Sequence, residues 1–134
     1  MTLEERRTGV RLRAHLPLRY TVLPSGTARD AVTRDVGRGG VGFFVTHALP
    51  VGTTLQLAVT LPDRDEPVHA LADVVWSHAY TVIEKTDRRS AVELGVRFTE
   101  VAPRDAARLE TYISATLMPS KASGSAFLEG VPIG

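Results

Sequence analysis

Hydrophobic residues recur at every second position along most of the first hundred residues, in short segments separated by turn-forming residues. The clearest segment is TTLQLAVTL, where Leu55, Leu57 and Val59 alternate with polar or small residues. A period of two places successive side chains on opposite faces of a strand, so this segment is predicted to be a half-buried strand. The pattern indicates a protein made mostly of β-strands.

Six strand-like segments precede any helical pattern: LRAHLPLRYTVL, RDAVTRDV, VGFFVT, TTLQLAVTL, VHALADVVWSHAY and AVELGVRF. Turn chemistry separates them at SGTA, LPVG and PDRDEP, and the charged stretch EKTDRR is predicted to be a loop. Pro17 suggests that the first strand lies at an edge or contains a bulge. RDAVTRDV is the least regular of the six, because charged residues occupy much of its length.

The period changes at Pro103. Proline is favoured in the first turn of a helix, and the acidic Asp105 suits the positive end of the helix dipole. Apolar residues then recur at spacings of three and four, which predicts an amphipathic helix from Pro103 to Leu117 that packs through Leu109, Ile113 and Leu117. Short antiparallel strands followed by one such helix predict a six-stranded antiparallel β-barrel with the helix over an opening or flank.

Composition restricts the classes of function. The 134 residues are enough for one domain with its own core, and the absence of cysteine excludes disulfides and thiolate metal sites. Sixteen basic and fifteen acidic residues give a formal net charge of +1, and 6% of residues are aromatic. A barrel that binds DNA or RNA needs a basic groove with exposed aromatics, so nucleic acid is not expected as a partner and any anion site must be local.

Several other classes are not expected either. The N-terminus carries charges where a signal peptide needs an apolar core, and no apolar run is long enough to span a bilayer, which predicts a cytoplasmic protein without membrane insertion. The four histidines lie in separate segments without ligand spacing, so no metal site is expected. No nucleophile, base and orienting group can be assembled, which predicts a protein that is not an enzyme. Residues 118–134 lack periodicity and are predicted to form a flexible tail.

The stretch TRDVGRGGVGFF contains the pattern G-x-G-x-x-G at Gly37, Gly39 and Gly42. In a dinucleotide-binding fold these glycines must open a helix that receives the pyrophosphate. Here they lead into the alternating run VGFFVT, which predicts another strand. A glycine-rich turn between two strands is therefore the simpler interpretation, although it leaves Asp35 and the nearby arginines unexplained.

Two short motifs resemble those of PilZ domains. ERRTGVR is similar to the R-x-x-x-R element of that family, with Arg7 and Arg11 as the pair and Arg6 as a frequent additional arginine. DVGRGG resembles the second element, [D/N]-x-S-x-x-G, with Asp35 first, Gly40 last and Gly37 in the place of the serine. The later strands and the closing helix are similar in order and spacing, so the resemblance covers residues 4–117.

The resemblance implies a six-stranded barrel that binds cyclic di-GMP and reports it to a protein partner in the control of motility, pili or the envelope. It also implies an N-terminal arginine arm at residues 1–11, a barrel with closing helix at residues 12–117 and a tail at residues 118–134. The partner and the oligomeric state are not specified by the sequence.

The residue chemistry suits this ligand. The planar guanidinium of arginine bonds a phosphate or a guanine edge bidentately and stacks on a base, so Arg6, Arg7 and Arg11 are candidate ligand contacts. An ionised Asp35 can accept the N1 and N2 protons of guanine. At Gly40 the absence of a side chain would let the ligand come close, and Gly37 lacks one hydroxyl, which predicts weakened binding. The alternative is a PilZ-like domain that has lost the ligand and serves as a docking module.

Overall fold

The computed structural model describes residues 11–84 and 87–117. Seven strands precede one helix in the order β1 (Arg11–Arg13), β2 (Pro17–Val22), β3 (Ala28–Gly37), β4 (Gly40–Val45), β5 (Thr54–Val59), β6 (Val68–Glu84), β7 (Asp87–Val101) and α1 (Pro103–Leu117). Within these ranges, no helix combines the length and the apolar character needed to cross a bilayer.

Six of the strands close into an antiparallel barrel, which confirms the predicted architecture. Neighbours run β3-β2-β5-β6-β7-β4, and β4 pairs with β3 to complete the ring. The long strand β3 makes this closure possible because its first half pairs with β2 and its second half pairs with β4. The short strand β1 adds to the outer edge of that second half.

The barrel interior holds the core. Leu55, Leu57 and Val59 are all buried, as their alternation predicts, and the buried Val41 and Phe43 face them from β4. Removing such side chains from water stabilises the fold by roughly 1.5–3 kcal/mol each. The charged strand β3 also contributes to the core, because it buries Thr33 and Val36 and directs its charged side chains outward.

Two strand boundaries differ from the predictions. The first predicted strand is split into β1 and β2, because the hydroxyl of Thr33 donates to the carbonyl of Ala14 at 2.5 Å and accepts from the amide of Leu16 at 2.9 Å. The register against β3 shifts by one residue between the pairs Arg13–Asp35 and Pro17–Val32, and the Thr33 hydroxyl bridges this irregularity. Pro17 accordingly begins β2, a position where its missing donor is tolerated.

The charged segment EKTDRR is mostly strand rather than loop. The β6–β7 ladder continues to the pair Glu84 and Asp87, so these strands form a long ribbon beyond the barrel. Charged and polar side chains are compatible with strand structure here because most described side chains of the ribbon beyond Val74 on β6 are exposed to solvent.

The helix has the predicted bounds but not all of the predicted packing. Leu109 and Ile113 are buried against the barrel, whereas Leu117 is 46% exposed. The last turn is exposed as a whole from Ala115 onward, so it extends beyond the surface that covers the two inner residues. At the other end, the buried Asp105 accepts a hydrogen bond from the backbone amide of His69 at 3.0 Å, which joins the start of α1 to β6.

Candidate functional site

The two sequence motifs meet at the junction of β1 and β3. In the β1–β3 ladder Arg11 pairs with Gly37 and Arg13 pairs with Asp35. The guanidinium of Arg11 donates to a carboxylate oxygen of Asp35 at 3.2 Å. The structure thus brings Arg11, Asp35 and Gly37 together on the outer surface of the barrel, while Arg6 and Arg7 lie outside the described residues.

A second arginine holds the Asp35 carboxylate from the other side. Arg34 lies 3.6 Å from its second oxygen and also forms an ion pair with Glu93 of β7. The Asp35 side chain remains 19% exposed, so a ligand has access to it. The Asp35 carboxylate is thus a hydrogen-bond acceptor held between two arginines, Arg11 and Arg34. This arrangement suits a ligand that carries both hydrogen-bond donors and negative charge.

A row of four paired residues crosses the outer surface from this carboxylate. Asp35 pairs with Gly42, Gly42 with Gly95, and Gly95 with Trp76. The two central residues have no side chains, and the space above them is occupied from the two ends, by the Asp35 carboxylate over Gly42 and by the Trp76 indole over Gly95. The row therefore sets a carboxylate and an exposed indole side by side on the outer surface.

Both glycines are required by their neighbours. A Cβ at Gly95 would lie 2.2 Å from the indole of Trp76, because that ring covers the glycine. A Cβ at Gly42 would lie 3.1 Å from a carboxylate oxygen of Asp35. Isolated glycines within strand patterns are a recognised signal of such close approach, and this signal in LGVRF and VGFF is the one by which the two close approaches could have been found from sequence.

From the sequence, Trp76 and the neighbouring Val75 are interpreted as core or rim residues rather than as a stacking platform. Ala72 and Val74 are both buried, and unbroken alternation would place position 76 on the same inner face. The β6–β7 register shifts between Val74 and Trp76, and this irregularity turns the indole to the outer face, where it is 41% exposed. Bulges of this kind redirect side chains next to functional sites.

Gly40 has a constraint that the motif comparison did not suggest. A Cβ at this position would lie 2.0 Å from the carbonyl oxygen of Val96, because β4 and β7 approach closely where the barrel closes. Its neighbour Gly39 has nothing within 4 Å of the same point. Gly40 is therefore needed for the barrel itself, whether or not a ligand also approaches it.

Arg38 links the β3–β4 turn to the helix. Its guanidinium forms a two-pronged ion pair with Glu110 of α1, in which the second contact measures 2.9 Å, and Ser114 donates to the same carboxylate at 3.2 Å. Hydrogen bonding from Arg38 holds the pKa of Glu110 below its ordinary value of 4.5. Arg38 is itself an exposed turn residue, and its contact joins segments that are 72 residues apart in the sequence.

This ion pair predicts an acid-sensitive attachment of the helix. A carboxylate with a lowered pKa contributes stability above its unfolded pKa and loses it as the pH falls through the folded value. We expect the denaturant concentration at the unfolding midpoint to decrease as the pH is lowered from about 6 to 3. Glu110→Gln should make this decrease smaller, because it lowers stability at neutral pH and not at acidic pH. Glu100→Gln, an exposed carboxylate of β7, is the control. Equal pH profiles for the two variants would contradict the prediction.

Over residues 11–84 and 87–117, no group of three or more histidine, cysteine, aspartate or glutamate residues is arranged to hold a metal ion. The residues brought together at the β1–β3 junction and along the row are arginine, aspartate, glycine and tryptophan. Arginine and tryptophan are residue types that contact anions and flat bases.

Comparisons with known proteins identify a family and a fold. The family model described as PilZ domain matches residues 5–115. The structure is similar to the PilZ domain with c-di-GMP of YcgR from Escherichia coli, with 20% identity, 87% of this chain and 96% of that chain covered, and a TM-score of 0.63. No curated protein matches the chain in sequence.

Two longer proteins share the fold. MrkH of K. pneumonia in its apo state is 17% identical over 84% of this chain, with a TM-score of 0.69. The Bacillus subtilis inhibitor of motility MotI/DgrA is 17% identical over 81%, with a TM-score of 0.59. The chain spans about half the length of each of these two, 52% and 50%.

Proposed function

The chain belongs to the PilZ domain family, and from that premise we propose that it is a receptor for cyclic di-GMP that acts on a protein partner rather than an enzyme. The observation that carries the proposal is the row from Asp35 to Trp76, in which two glycines allow an anchored carboxylate and an exposed indole to lie side by side. The structural likeness to a c-di-GMP-bound PilZ domain supports the fold of such a receptor.

One guanine of the ligand binds at the row. The Asp35 carboxylate accepts from N1 and N2 of the base, which adenine cannot satisfy because its N1 is an acceptor. The base plane then stacks on the exposed part of the Trp76 indole, a contact worth roughly 1–3 kcal/mol for a stacked base. Arg11, already at the carboxylate, is placed to bond a phosphate or the Hoogsteen edge.

Arg6 and Arg7 complete the proposed site from the segment before β1. We assign them to the ligand phosphates and the second guanine, as the R-x-x-x-R resemblance implies, with residues 1–11 acting as an arm next to the barrel of residues 12–117. Arg11 belongs to β1, so the arm enters the site next to a fixed strand. The regulated process proposed for the partner is motility, pilus or envelope control.

One titration tests the receptor proposal. Calorimetry of the full chain with cyclic di-GMP should show saturable binding, and cyclic di-AMP should bind at least tenfold more weakly, because one unsatisfied charge-assisted contact costs about 1.5 kcal/mol or more. The chain has a single tryptophan, so the fluorescence of Trp76 should change over the same range of ligand. Equal binding of both dinucleotides would exclude the assigned role of Asp35.

A second candidate function, a docking module without ligand, is favoured by one observation, the glycine at position 37. Gly37 ends β3 opposite Arg11, so a serine there has strand backbone and adds one hydroxyl beside the site. We expect Gly37→Ser to tighten cyclic di-GMP binding about fivefold, by roughly 1 kcal/mol for one hydrogen bond.

Gly39→Ser is the matched control, because a side chain at Gly39 meets open space. It stiffens the same turn without adding a hydroxyl in the motif position, so it should leave the affinity nearly unchanged. If neither the native chain nor Gly37→Ser binds at high micromolar ligand while both remain folded, the docking module replaces the receptor as the assigned function.

A further inference from the structure

Helix α1 and the β5–β6 loop enclose a groove with a volume of about 520 Å³. It lies on the side of α1 turned away from the buried Leu109 and Ile113, apart from the row that crosses β3, β4, β7 and β6. Its lining includes Arg64, Arg104, Ala107, Arg108, Thr111 and Tyr112. A cleft of this size is in the range that holds several side chains of a ligand or peptide.

Ion pairs fix one wall of the groove against the helix. Arg108 donates to Asp63 at 2.9 Å and its side chain is only 9% exposed, while Arg104 lies 3.4 Å from Glu66. Hydrogen bonding from Arg108 also holds the pKa of Asp63 below its ordinary value of 3.8, which is the direction expected for a formed pair. The loop and helix therefore present a preformed groove rather than one that must open.

The groove has an apolar floor and a cationic end. Ala107, Thr111 and Ala115 are exposed at a spacing of four, so small side chains line one helix face and let another chain approach closely. Near the start of the helix, Arg104 pairs with Glu66 but keeps a side-chain exposure of 79%, and Arg64 of the loop, 3.9 Å from Asp63, keeps 59%. With Arg108, three arginines at this end face two carboxylates. The complement is a segment with large apolar residues followed by a carboxylate.

We propose that this groove is the docking site of the chain's own segment Phe127, Leu128 and Glu129. That segment lies outside the described residues, and its order of two large apolar residues and one acid matches the groove from its floor to its cationic end. Phe127 and Leu128 cover Ala107 and Thr111, and Glu129 pairs with Arg104 or Arg64.

The connecting chain has the right reach. Nine residues, 118–126, separate the last helical residue from Phe127, and they are mostly serine, alanine, glycine and proline. A flexible linker of that length has a root-mean-square span of about 16 Å, and Leu117 lies about 15 Å along the helix from Ala107. A linker that matches its span gives a millimolar effective concentration, so a contact that is weak between separate molecules is populated within one.

A spin label on the full chain tests the docking. The chain has no cysteine, so Val131→Cys offers a single site for a nitroxide. We expect the amide signals of Ala107, Thr111 and Ala115 to lose most of their intensity, while that of Tyr80 on the distant β6–β7 ribbon is retained. Uniform broadening over the barrel, or none, would overturn the proposal.

Matched variants separate docking from random proximity. The labelled chain carrying Phe127→Ser and Leu128→Ser should lose the broadening at α1, whereas Ser120→Ala in the linker should keep it. Arg104→Glu should weaken the broadening, and Glu129→Arg in the same chain should restore it. If the α1 signals of an isotope-labelled chain broaden only on mixing with a separate spin-labelled chain, the occupant is a second copy and the intramolecular proposal is wrong.

Discussion

Asp35→Ala is expected to weaken the binding of cyclic di-GMP by about 10- to 150-fold, since each charge-assisted hydrogen bond contributes roughly 1.5–3 kcal/mol. The substitution removes the acceptor for the guanine N1 and N2 protons and leaves the Arg34–Glu93 ion pair in place. It should also reduce the preference for cyclic di-GMP over cyclic di-AMP. Calorimetry with both dinucleotides measures the two effects together.

Asp30→Ala is the matched control for this measurement. Asp30 is on the same strand β3 and is also paired with an arginine, Arg19, at 3.1 Å, but it lies at the other end of the strand and its side chain is 80% exposed. Its loss should leave affinity and base preference unchanged. An Asp35→Ala variant that binds like Asp30→Ala would remove Asp35 from the proposed site.

Gly40→Ala is expected to have the largest effect on stability, a loss of about 3 kcal/mol, at the upper end of what an overpacked methyl group costs. The added Cβ would meet the carbonyl oxygen of Val96 at 2.0 Å, and this atom belongs to the backbone of a central barrel strand and cannot rotate away. The β4–β7 ladder must separate to admit it. Chemical denaturation of the ligand-free chain measures the loss.

Gly39→Ala provides the comparison one residue away. Its Cβ meets nothing within 4 Å, so stability should change by less than about 0.5 kcal/mol. Comparing the two variants distinguishes a role of Gly40 in barrel packing from a role in ligand approach alone. If Gly40 served only ligand approach, the ligand-free chain would tolerate alanine at this position. Equal stability of Gly39→Ala and Gly40→Ala would contradict the structural role assigned to Gly40.

The arrangement of the site suggests why the helix is a candidate route of output. Arg38 lies between the motif residues Gly37 and Gly40 and is bonded to Glu110 of α1. A change in the β3–β4 turn would therefore reach a residue that contacts the helix directly. The pH profile of Glu110→Gln, measured with and without cyclic di-GMP, would show whether the two are coupled.

Local patterns in the sequence determined the class of fold. Alternation with a period of two specified the half-buried strands, and the change of period at Pro103 specified the bounds of α1. These features are readable because burial on one face imposes a fixed spacing on neighbouring residues. The motif resemblance likewise identified Asp35 and Arg11 as candidates, since both lie in short contiguous elements.

The tertiary structure alone decided which residues share a surface. Three features of the site depend on pairings between distant segments, which no local pattern encodes. They are the contact of Arg11 with Asp35, the row through Gly42 and Gly95, and the ion pair of Arg38 with Glu110. A strand's two faces are exchanged by a shift of one residue, so the irregularity before Trp76 reversed the side on which alternation had placed it. Gly40 is a further example. Its motif assigns it to the ligand, whereas the close contact with the β7 backbone that requires a glycine there is seen only in the folded barrel.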